Sequence, residues 1–184
     1  MNQDSRKLSI WRVFVAVILL GITIYASYMG WNEWKDQKSV EVTKPWFAPY
    51  VDVTATPRFA FEQLASDKVK NIVMAFIVSD PKDLCVPTWG GVYTLDMASS
   101  ELDLDRRIAR YRQQNGNIVI SFGGLLNDEL ADVCSDKDKL YYAYQSVINR
   151  YNLDTIDLDI EGDSLTNQDA LNRRAKVLAD LQKQ

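Results

Sequence analysis

The segment Asp154-Thr155-Ile156-Asp157-Leu158-Asp159-Ile160-Glu161 constrains this chain more than any other. It alternates acids with apolar residues in the rhythm of a β-strand, yet a strand packed between layers should be apolar on both faces. Alternation puts Asp157, Asp159 and Glu161 on one face and Ile156, Leu158 and Ile160 on the other. Neighbours on one face then lie roughly 6.6 Å apart, twice the rise per strand residue. Three carboxylates at that spacing repel one another, and at least one is expected to hold a proton near neutral pH. A row so costly to fold points to acid–base chemistry or to a bound cation.

Composition narrows the chemistry further. The chain has 184 residues, 21 basic against 25 acidic, a net charge of −4 and no histidine. Without histidine, Ser-His-Asp and Cys-His mechanisms and every His-ligated metal are excluded. Proton transfer near neutral pH falls to carboxylates, tyrosines or a shifted lysine. No Lys/Arg cluster suits nucleic acid, so no nucleic-acid partner is expected.

Val13–Met29 is an uncharged run of 17 residues, preceded by Arg6, Lys7 and Arg12 and bracketed by Trp11 and Trp31. As a helix it stands at the lower limit for crossing a hydrocarbon core of roughly 30 Å. Basic residues before it and aromatics at both ends predict a cytoplasmic N-terminus over 1–12, a signal-anchor over 13–31 and an exported remainder. A cleaved signal peptide is the alternative, although Tyr25-Ala26-Ser27-Tyr28 is a poor small-x-small site. The charged residues 32–45 read as a spacer. Export permits a disulfide between Cys85 and Cys134, with two free thiols as the other outcome.

From Trp46 onward, apolar runs and amphipathic stretches alternate. Strands are predicted over Phe47–Val53, Asn71–Val78, Asn117–Phe122 and Thr155–Asp159. Helices are predicted over Phe59–Ala65, Leu104–Gln114, Leu140–Tyr151 and Asp169–Gln184, with a long loop rich in Pro, Gly and aromatics after Asp80. Four alternating units predict an α/β fold with a parallel sheet. The acids fall at a strand's C-terminal end, where such sheets place ligands. Thr54-Ala55-Thr56-Pro57 after the first strand lacks the glycines and lysine of a phosphate loop, which disfavours a nucleotide-binding sheet and leaves a barrel. Barrels typically need about 250 residues, so the chain is expected to hold half of one.

Asp154-x-x-Asp157-x-Asp159-x-Glu161 resembles, at every acidic position, the DxxDxDxE signature of family 18 glycoside hydrolases, the chitinase family. Ser121-Phe122-Gly123-Gly124 is similar to that family's SxGG motif, and Asn71–Phe76, ending in Ala75-Phe76, to its second strand. The resemblance covers residues 46–184 and implies the first four βα units of a (β/α)8 TIM-type barrel. It further implies retaining hydrolysis of β-1,4-linked N-acetylglucosamine polymers in which the substrate's acetamido oxygen is the nucleophile. In that scheme Glu161 is the acid/base, Asp159 orients the acetamido group, and Asp157 shares a proton with Asp159. Ser121, Gly123, Gly124 and Phe76 border the substrate, no cofactor or metal is used, and Asp154 is structural. Thr155 and Ile160 depart from the Gly and Trp common in the motif. The family's acetamido-binding tyrosine would fall beyond residue 184, so the chain alone is expected to be inactive or nearly so.

Other readings of the same residues exist. Asp157-x-Asp159-x-Glu161-Gly162 imitates the opening of a calcium loop, but Gln168 stands where a bidentate Glu belongs. Tyr50, Trp89 and Tyr93 are candidates for stacking on sugars, or else for packing. An endo-β-N-acetylglucosaminidase would use the same acids. A non-catalytic carbohydrate-binding relative usually lacks the final Glu, and a truncated remnant would do no chemistry.

Overall fold

A computed structural model describes residues 10–38, with the backbone alone at 33–38, together with 47–65 and 69–183. Arg6, Lys7, residues 39–45 of the expected spacer, Trp46 and Gln184 lie outside the described residues. The chain divides into two units, Met1–Pro45 and Trp46–Gln184.

The first unit contains helix α1, Ile10–Lys38. Its apolar stretch Ile10–Asn32 is 23 residues long with a mean hydropathy of 2.1. At 1.5 Å per residue that is about 35 Å of helix, which exceeds the bilayer core of roughly 30 Å, whereas the uncharged run alone falls short of it. Membrane spans and signal sequences both meet this description.

The second unit is built on a mixed sheet. Strands β1 (Tyr50–Asp52), β2 (Asn71–Ser79), β5 (Asn117–Gly123) and β6 (Ile156–Asp159) run parallel and neighbour one another in that order. A hairpin of β3 (Pro87–Trp89) and β4 (Tyr93–Thr94) joins antiparallel, with β3 along the last residues of β2. The expectation of an all-parallel sheet with a loop after Asp80 is therefore corrected. The hairpin's strands are too short to show periodicity, and Gly90 (φ 60°) and Gly91 (φ 74°) make its turn. Helix α2 (Leu95–Glu101) was also read as loop; Thr94 caps it by accepting from the Met97 N–H.

Helices α3 (Leu104–Gln113), α5 (Lys137–Tyr151) and α6 (Gln168–Leu181) match the predicted amphipathic stretches, and the short α4 (Leu130–Val133) was not foreseen. The predicted helix over Phe59–Ala65 shrinks to one 3-10 turn, Phe61–Gln63. The core holds Ile72, Met74 and Ile77 of β2, Ile118, Ile120 and Phe122 of β5, and helix residues Leu104, Tyr111, Tyr144 and Val147. These side chains leave water together, each worth about 1.5–3 kcal/mol. On β6, Ile156 and Leu158 face the helices and line a groove of about 410 Å³ with Ile148, Leu153, Leu178 and Leu181. Among the described residues, the outer edge of β6 is unpaired.

Cys85 and Cys134 form a disulfide, their Cα atoms 4.9 Å apart. It ties the segment after β2 to the end of α4. Because it closes a loop of 49 residues, its loss is expected to destabilise this unit by about 4 kcal/mol on a loop-closure estimate. Urea unfolding of the protein with and without reductant, and of the Cys85→Ser/Cys134→Ser variant, measures this.

Candidate active site

Register builds the site. Ser121 pairs with Asp157 and Gly123 with Asp159 across the β5–β6 ladder, which brings the acids of β6 level with the C-terminal end of β5. Asp157 is the best-anchored of them. Its Oδ2 accepts from the Ser121 hydroxyl at 2.7 Å and from the Tyr50 hydroxyl at 2.9 Å. Two donors from two other strands fix the direction of that carboxyl. Tyr50, Asp157 and Asp159 thus share the face opposite the helices. The Tyr50 pKa is pushed up to about 12, first by desolvation of its hydroxyl and then by its bond to Asp157 and the charges of Asp157 and Asp159. It remains a donor across the physiological range.

Glu161 lies just past β6, with its backbone still extended (φ −130°, ψ 169°). Extended geometry keeps the alternation going, and the Glu161 carboxyl lies close enough to that of Asp159 for the two to interact. Two neighbouring carboxyls can hydrogen-bond to each other only with a proton between them. The negative charge of Asp159, then desolvation, then the shared bond raise the proton affinity of Glu161 above the ordinary carboxylate range. The result is a solvent-accessible acid able to keep its proton at higher pH than an isolated glutamate.

Gly123 and Gly124 both have positive φ, 108° and 92°. A Cβ on Gly123 would come within 2.2 Å of the Asp159 carbonyl oxygen, and one on Gly124 within 3.3 Å of the Phe76 ring. The Gly124 N–H donates to that same carbonyl at 2.7 Å. These glycines let two backbones and one ring close around the end of β6. Phe76 is half-buried, its ring centroid 6.1 Å from that of Tyr50.

Two expectations change. Trp89 is fully buried, and its indole N–H donates to the Tyr151 hydroxyl at 2.9 Å. It packs in the core and offers no stacking face. Ser121 is also fully buried and spends its hydroxyl on Asp157, so it borders the acid and not a ligand. Tyr50 keeps 55% of its surface exposed, but its hydroxyl serves Asp157, a partnership that sequence distance concealed. Asp154 is exposed and outside this cluster.

No family model matches the chain. Sequence relatives do. Over 177 residues the chain is 29% identical to a "Probable bifunctional chitinase/lysozyme" of Escherichia coli strain K12, and 28% identical to "Endochitinase 11" of Metarhizium anisopliae. Both alignments use 94% of this chain. Among solved structures, the catalytic domain of the hyperthermophilic chitinase from Pyrococcus furiosus superposes with a TM-score of 0.55 at 27% identity, over 71% of this chain. Part of the chain is thus similar to chitinases in both sequence and fold. It spans 18% and 30% of the two curated relatives and 43% of the solved chain.

The proton affinity of Glu161 depends on the charge beside it. Asp159→Asn removes that charge, so Glu161 is expected to titrate at lower pH, back toward the ordinary range. The sign for stability is set likewise: with a raised folded pKa, Glu161 favours the folded state at low pH and loses that contribution as pH rises through its titration. Carboxyl ¹³C shifts of labelled glutamate followed against pH give the direction.

Proposed function

We propose that the chain contributes the acid side of a chitin-cleaving site, hydrolysing β-1,4-linked N-acetylglucosamine polymers with retention. The observation that carries this reading is the placement of Glu161 beside Asp159, which raises its proton affinity and leaves it open to an incoming ligand. Glu161 protonates the bridging oxygen as the glycosidic bond breaks. The acetamido oxygen of the sugar on the other side closes on the anomeric carbon and takes the place of a carboxylate nucleophile. Asp159 faces the positive charge that develops on the oxazolinium ring. Glu161, now a base, draws a proton from water, which opens that ring from the face the leaving group left. Asp157, held by Tyr50 and Ser121, keeps Asp159 beside a fixed neighbour.

The parallel set β1, β2, β5 and β6, adjacent in chain order, supports reading residues 46–184 as the first four strands of a (β/α)8 barrel, with the hairpin as an insertion. Because Glu161 is exposed among the described residues, little turnover is expected from these residues alone: water around an acid weakens the electrostatics on which transfer depends. We further read α1 as an uncleaved anchor with the second unit outside the cytoplasm. The Cys85–Cys134 disulfide supports that side of the membrane, since such bonds persist in oxidising compartments.

Release of nitrophenol from a chromogenic chitobioside, by the protein that carries this chain, tests the assignment. Glu161→Gln keeps size and loses the transferable proton, and a fall of about 10²–10⁴-fold in turnover is expected. Equal turnover by the variant would remove Glu161 from the mechanism.

A further inference from the structure

The segment that follows Glu161 has little to hold it. The 3-10 turn Gly162–Leu165 buries none of its residues, and Glu161 and Gly162 are exposed. A segment without apolar anchorage drifts unless polar ties fix it. Its ties to the rest of the unit converge on Asp132 of α4. The Ser164 hydroxyl donates to Asp132 Oδ2, and the Asn167 amide donates to Asp132 Oδ1 at 3.1 Å. One carboxylate therefore holds both the second half of the turn and the residue that caps α6.

Asp132 is itself held rigidly, although a four-residue helix has no stability of its own. Glu129, the N-cap of α4, accepts from the Asp132 N–H at 3.1 Å. Glu129 is 3% exposed and is paired with Arg174, 4% exposed, at 2.6 Å. Tyr144 donates to the same carboxylate at 2.9 Å. Arg173 adds a bond to the Ala131 carbonyl at 2.5 Å. At the other end of α4, Cys134 is covalently tied to Cys85. Contacts from α5 and α6 and one disulfide thus make α4 a fixed platform, with Asp132 facing the turn.

We propose that Asp132 is a positioning residue for Glu161: through Ser164 and Asn167 it anchors the turn whose first link is Glu161, and so keeps the Glu161 carboxyl against Asp159. Asp132 touches neither acid and takes no part in proton transfer. The inference rests on the reading of Glu161 as the proton donor, but its test does not depend on turnover.

The test is the pH titration of Glu161 in the full chain, held in detergent micelles and labelled with ¹³C at glutamate carboxyls. Glu161→Gln assigns its signal among those of Glu33, Glu41, Glu62, Glu101 and Glu129. In Asp132→Ala the Glu161 midpoint is expected to move down by at least half the shift that Asp159→Asn produces. Asp132→Asn, which keeps an acceptor oxygen of the same size, is expected to retain most of the wild-type midpoint. Ser164→Ala, which leaves α4 intact, is expected to move it in the same direction as Asp132→Ala, and it decides the matter alone if Asp132→Ala does not fold. A Glu161 midpoint unchanged in the folded variants, or one already ordinary in the wild type, overturns the proposal. Unchanged chitobioside cleavage by Glu161→Gln would instead overturn the acid assignment and leave the titration result standing.

Discussion

The approach of β5 to β6 at Gly123 governs the rest of the site. A side chain there would collide with the carbonyl of Asp159, and without that approach the Gly124 N–H would lose its acceptor. The end of β6 would then slide outward and take its acids with it. Ser121 could no longer reach Asp157, nor would Asp157 meet the hydroxyl of Tyr50 from the far side of β2. Backbone packing at one glycine is therefore translated into the aim of several carboxyls. The electrostatics of Glu161 come afterwards, because they require Asp159 to be in place.

What could be read from the residues, and what could not, follows the range of the forces involved. Alternation along Ile156–Asp159 is a local property, so the separation of Asp157 and Asp159 from Ile156 and Leu158 was legible before any coordinates. The long amphipathic helices and the two apolar strands β2 and β5 were legible for the same reason. The hairpin β3–β4 was not, since two- and three-residue strands carry no periodic signal and take their pairing from β2. Trp89 looked like a surface aromatic because its neighbours are glycines and a proline, whereas tertiary packing draws it against Tyr151. Ser121 was noticed through its motif, yet its partner lies 36 residues away. The grip of Asp132 on the turn after Glu161 and the burial of Glu129 with Arg174 involve separations of 32 to 45 residues. No local pattern signals contacts of that kind.

The buried Glu129–Arg174–Tyr144 group also shows how polarity is spent inside this unit. Burying an ion pair costs desolvation that its attraction only partly returns, so such groups contribute more to uniqueness of packing than to net stability. Here every oxygen of Glu129 has a donor: Tyr144 and Arg174 on Oε1, and Arg174 with the Asp132 N–H on Oε2. The group joins three elements, α4, α5 and α6. An apolar triad of equal volume could slip; this one cannot without stranding a charge.

The outer margin of β6 carries a consequence for handling. Among the described residues its outer amides and carbonyls are unpaired, and they run beside the hollow formed by Leu153, Ile156, Leu158, Leu178 and Leu181. A hydrogen-bonding border next to a greasy trough is adhesive toward any extended polypeptide, including its own kind. A preparation of these residues alone should therefore become turbid more readily as it is concentrated or salted, and mild detergent or low protein density would keep it clear.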